Sequence, residues 1–69
     1  MDLLDVVHLA ATYGNAIAEF KNIGDDETIA SIKESFNAFF NGVPEVYRAS
    51  AQQAFTFAYV KAIRFKLEI

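Results

Sequence analysis

The sequence predicts an all-α fold of three helices in a single domain spanning residues 1–69. Three observations carry this. Apolar residues recur at helical spacing along almost the whole chain. Two short breaks, Asn22-Ile23-Gly24-Asp25-Asp26 and Asn41-Gly42-Val43-Pro44-Glu45, interrupt that spacing with helix-ending and helix-starting residues. The chain has 69 residues of which 54% are hydrophobic, and it contains no Cys. That composition disfavours disorder and excludes a disulfide scaffold or thiolate metal site.

The first helix is expected over residues 3–22. Its polar positions, Asp5, His8, Thr12, Asn15, Glu19 and Asn22, are spaced alternately three and four apart and so form one narrow stripe. The remaining apolar arc covers roughly 220° of the helix circumference, wider than the stripe of about 100° on an ordinary surface helix. One flank of the arc is large (Val6, Leu9, Tyr13, Ile17, Phe20). The other is small (Ala10, Ala11, Gly14, Ala18), with Val7 between them. Gly24 suits the left-handed position just past the end of this helix.

The second helix is expected over residues 26–41. Asp25 or Asp26 caps it, and Glu27 adds negative charge to its first turn. Ile29, Ile32, Phe36 and Phe39 or Phe40 form its single apolar stripe. Gly42 reads as a second left-handed cap, and Pro44 as the first residue of the third helix, residues 44–66. Asn41-Gly42 is also a hairpin signal, but both flanks carry helical rather than alternating spacing. The main face of the third helix is Tyr47, Ala51, Ala54, Phe55, Ala58, Ala62 and Phe65. A second row, Val46-Ser50-Gln53-Phe57-Val60-Arg64, is half apolar and half polar.

The first and third helices are expected to form the scaffold, with the second packed across them. Their small rows, Ala10-Gly14-Ala18 and Ala54-Ala58-Ala62, allow close backbone approach. Chains this short bury only about 60% of the surface that the unfolded chain exposes. The apolar excess therefore predicts a homodimer, since small folds gain stability by oligomerising. Its seam is expected along Val7, Ala10, Gly14, Ala18, Ala54, Ala58 and Ala62.

Charge narrows the function classes. Residues 1–34 hold seven acids against two lysines, and residues 35–69 hold two acids against four cations, giving the net −3. An acidic total disfavours non-specific nucleic-acid binding, which depends on cations neutralising phosphates. The opening residues Met1-Asp2-Leu3-Leu4-Asp5 are acidic and lack the basic region of a secretory signal. No apolar run reaches the length of a membrane span. The expectation is a cytoplasmic protein with no membrane association.

No metal or cofactor is expected. His8 shares a face with Asp5 and Thr12, but one imidazole and one carboxylate do not fill a four-ligand shell, so a solvated stripe is the better reading. Asp25-Asp26-Glu27 lacks the twelve-residue ligand pattern of a calcium loop. Phosphate loops, nucleophile elbows and zinc motifs are also missing, so no enzymatic activity is expected. Lys61, Arg64 and Lys66 lie near a helix C-terminus, where the dipole favours cations.

The patch Phe57, Val60, Lys61 and Arg64 combines an aromatic with an arginine, residue types enriched at interface hot spots; its alternative reading is the edge of an intramolecular core. The patch is the expected partner-binding surface. The leading functional expectation is therefore a small non-enzymatic interaction protein, a dimeric regulator or inhibitor that binds another protein through a helical surface. Its size and lack of chemistry fit a phage- or plasmid-type inhibitor. Two alternatives are a DNA-binding regulator reading through the third helix with Arg48, Gln52 and Gln53, and a structural subunit of a helical assembly. No motif here carries a family resemblance.

Overall fold

The computed structural model describes the backbone of residues 2–67 and the side chains of residues 2–63. Among them are three α-helices and no strand: α1 Leu3–Asn22, α2 Asp26–Asn41 and α3 Glu45–Leu67. The sequence boundaries hold for α1 and α2. The third helix begins one residue later than expected, because Pro44 sits before it and contributes its carbonyl to the Tyr47 N–H at 2.8 Å.

The starts of α1 and α2 each have an acidic cap. The Asp2 carboxylate accepts from the Asp5 N–H at 2.9 Å. Asp25 accepts from the Thr28 N–H at 3.1 Å and from the Thr28 hydroxyl at 2.6 Å, satisfying donors that the first helical turn leaves free. The Thr28 hydroxyl, and then its N–H, hold the Asp25 carboxyl below its ordinary value. The α1 end is a Schellman turn: the Asp25 N–H reaches the Phe20 carbonyl at 3.0 Å and the Gly24 N–H reaches Lys21 at 3.1 Å. Gly24 has φ +75°, the left-handed conformation that its position in the sequence predicts.

The α2 end differs from expectation. Gly42 is right-handed, with φ −88° and ψ −5°. The chain instead tightens: the Gly42 N–H donates to Phe39 at 3.0 Å and the Val43 N–H to Phe40 at 3.1 Å. This turn drives Val43 inward, where it is 2% exposed. Arg48 completes it from α3, its Nε donating to the Val43 carbonyl at 3.1 Å and its Nη2 to Asn41 at 3.3 Å. Its guanidinium also lies over the Phe40 ring, 5.8 Å from the centroid.

The helices run up, down and up, so α1 and α3 lie side by side in the same direction. Val7 and Ala11 neighbour the start of α3, Gly14 meets Phe55 and Ala58, and Asn22 approaches Ala62. This pair is the principal contact of the fold, with α2 laid mainly on α1. The core joins buried Val6, Ala10, Val43 and Ala51 to an aromatic group. Phe36 of α2 anchors that group, 4.4 Å from the Phe55 ring and 5.5 Å edge-on from Tyr13. Both Phe39 and Phe40 are half-buried beside it.

Gly14 shows why the α1–α3 rows are small. A methyl group there would run into the Phe55 carbonyl oxygen and approach the Ala58 Cβ at 3.2 Å. Ala10 and Ala18 are 0% exposed and Ala58 is 9% exposed; Gly14 is buried with them. Ala10, Gly14 and Ala18, expected at a seam with a second copy, are instead buried within the chain. The close approach of these residues and Ala58 is used inside one chain; Ala58 alone of the four also borders the open groove between the helices.

Candidate functional site: an apolar groove between α1 and α3

Because α2 covers one side of the α1–α3 pair, the other side is left open. The molecule is correspondingly flat, with extents of 36 × 24 × 14 Å. On the open side a shallow groove of about 1130 Å³ runs between the two helices. Val7 and Ala11 form one wall; Ala49, Ala54, Phe57 and Val60 form the other, with Ser50 and Gln53 among them.

Phe57 dominates this face. It is 71% exposed although it is the largest apolar side chain there. Its position follows from geometry: Phe55 turns into the aromatic core, and a residue two further on points to the opposite side of the helix. Val60 is 45% exposed on the same row. Leu4 and Val46, each 80% exposed, extend the face toward the helix N-termini, three residues before Val7 and four before Ser50.

The residues expected from the sequence fall into three groups. Val7, Ala54, Phe57, Ala58 and Val60 line the groove together, so part of the expected partner patch and part of the expected dimer seam share one surface. Lys61 and Ala62 flank an adjoining recess of about 540 Å³ that also includes Asn15, Glu19 and Phe57. Arg64 lies on the α3 backbone, and its side chain falls outside the described residues, as do those of Phe65 and Lys66. Ala11 and Ala49 line the groove although neither was expected at a binding site. Their signal is present in the sequence as spacing: Leu4-Val7-Ala11 and Val46-Ser50-Gln53-Phe57 each step by three and four.

The polar groups are engaged locally. The polar stripe of α1 is exposed at all six positions, and the Thr12 hydroxyl donates to the His8 carbonyl at 2.9 Å. Among the described residues no group of three or more His, Cys, Asp or Glu gathers as a metal site. On the covered side of the pair, the Lys21 Nζ donates to the Tyr59 hydroxyl at 2.9 Å. That hydrogen bond is the main reason the lysine titrates above its ordinary value. The Gln52 side chain donates to the Thr56 hydroxyl at 3.2 Å.

Among known proteins, no family model matches this chain, and neither does any curated protein or solved structure. Among the described residues no helix is long and apolar enough to cross a membrane.

Proposed function

We infer that this chain is a non-enzymatic protein–protein interaction module, a small cytoplasmic regulator or inhibitor whose working surface is the α1–α3 groove. The observation that carries this reading is Phe57, a large aromatic left 71% exposed at the centre of a continuous apolar face. Exposed apolar patches of this kind mark interaction sites, and buried aromatics supply much of the energy of protein interfaces. The groove walls offer aliphatic, aromatic, hydroxyl and amide side chains, a chemistry suited to binding. The cysteine-free composition supports a reducing compartment.

DNA reading through α3 has less support. Of the three side chains it would use, Arg48 donates to the Asn41 and Val43 carbonyls at the α2–α3 turn and Gln52 to Thr56. The test is a photo-crosslinking amino acid placed at position 57 and activated in the native cell. A covalent adduct with a protein is the expected result, whether that protein is another copy or a different chain. Absence of any protein adduct, with tight and steeply salt-dependent binding to duplex DNA, defeats the reading in favour of its rival.

A further inference from the structure

We propose that the groove is closed by a second copy of this chain, with the two α3 helices lying antiparallel about a two-fold axis at Gln53. This rests on the reading of the groove as a protein-binding surface and names its occupant. The row Val46, Ser50, Gln53, Phe57 and Val60, exposed except at half-buried Ser50, steps by four, three, four and three. That is the repeat of a helix-pairing seam, distinct from the face by which α3 meets α1.

A two-fold interface must be complementary to itself: if one residue meets another, the second meets the first. Reversed about Gln53, the row returns to itself at Val46, Gln53 and Val60, and its other two members meet small neighbours, Ser50 opposite Thr56 and Phe57 opposite Ala49. Val46 falls opposite Val60. Phe57 is the protruding side chain, and Ala49 is a small side chain of the same wall. Exposed Glu45 falls opposite exposed Lys61. A parallel pairing in register places Lys61 against Lys61 and Glu45 against Glu45, so charge selects the antiparallel arrangement. At the axis Gln53 meets its own copy. A carboxamide both donates and accepts, so two of them satisfy each other, and one polar residue in such a seam fixes its register. Val7 and Ala11 form the opposite wall, so the incoming α3 rests on both helices.

Sedimentation equilibrium on the full chain, over a dilution series, reads the mass. The expected result is twice the 7.7 kDa chain mass at the upper concentrations, with Phe57→Asp sedimenting as a helical monomer. The two-fold axis repeats the Glu45–Lys61 pair, so Lys61→Glu weakens association about two- to thirty-fold, the range of two exposed ion pairs, and adding Glu45→Lys restores it. The chain has no native cysteine, so Gln53→Cys offers a second readout that does not depend on how Phe57→Asp folds. A short thiol-specific crosslinker joins Gln53→Cys chains into covalent dimers and leaves Ser31→Cys, on the outer face of α2, monomeric. A monomer at every concentration overturns the proposal. So does a dimer that Phe57→Asp leaves intact and Gln53→Cys does not trap. If the mass is monomeric while position 57 crosslinks to a different protein, the occupant is wrong and the interaction reading stands; if neither is seen, both fail.

Discussion

Two glycines in this chain are required for different reasons. At Gly24 nothing lies within 4 Å of an added Cβ, and the constraint is the backbone itself, with φ +75°. Gly24→Ala therefore carries only the left-handed penalty, about 1–2 kcal/mol, and Gly24→Asn a smaller one. At Gly14 the backbone is ordinary helix and the constraint is the neighbour. The carbonyl of Phe55 occupies the place a methyl would take. Helix propensity alone favours Gly14→Ala by about 1 kcal/mol; overpacking against a rigid backbone opposes it with about 1–3 kcal/mol. Contact wins, and urea denaturation should show Gly14→Ala to be net destabilised or, at the mildest, no more stable than wild type. The sequence displayed the smallness of Ala10-Gly14-Ala18 clearly. It did not display whether that smallness serves a neighbour in the same chain or in another, because spacing along one helix is blind to which helix approaches it.

The helices are legible in the sequence because their ends are marked. Asp25 and Gly24 each have a local chemical reason to stand where they do, and both positions follow from adjacent residues alone. Gly42 shows the limit. Its neighbours resemble a left-handed cap, but burial of Val43 and the reach of Arg48 from α3 pull the turn into a tighter, right-handed form, and neither influence is local in sequence. Arg48→Met keeps the stem beside Phe40 and removes the two donors to Val43 and Asn41. The expected loss is about 1–2 kcal/mol, the range of a charged hydrogen bond, measured as a lower urea midpoint with an unchanged slope. The Asp25 cap adds a pH dependence. Its carboxyl titrates below the ordinary 3.8 in the folded chain, so its contribution is complete above that value and is lost as pH falls through the lowered one. Thermal melts of wild type and Asp25→Asn, followed by circular dichroism, should therefore differ near neutral pH and converge in strong acid.

At the scale of the molecule, a core this small concentrates its stability in few residues. A chain of 69 residues has a net stability of only about 3–10 kcal/mol. Phe36 bridges all three helices through Tyr13, Phe39, Phe40 and Phe55. Phe36→Ala, at about 3–5 kcal/mol, consumes from about a third to all of that margin, and the variant's urea midpoint should fall further than those of Gly24→Ala, Gly14→Ala and Arg48→Met. The sequence showed the apolar surplus as a number. The structure places part of it on one open face, where a row of α3 and the small wall of α1 converge, while Leu3, Leu9 and Ile23 are exposed outside the groove. If a second copy covers that face, wild-type melting temperature rises with protein concentration, and that of Phe57→Asp does not.

The up-down-up order has a kinetic consequence. The largest interface joins α1 to α3, the segments furthest apart in the chain, so the main stabilising contacts form only after the loop containing all of α2 has closed. Helical proteins usually fold fast because their contacts are local; this one carries a larger share of distant ones. Gly14→Ala should accordingly slow refolding in a stopped-flow experiment, whereas Arg48→Met, which loosens a turn at one end of that loop, should mainly hasten unfolding.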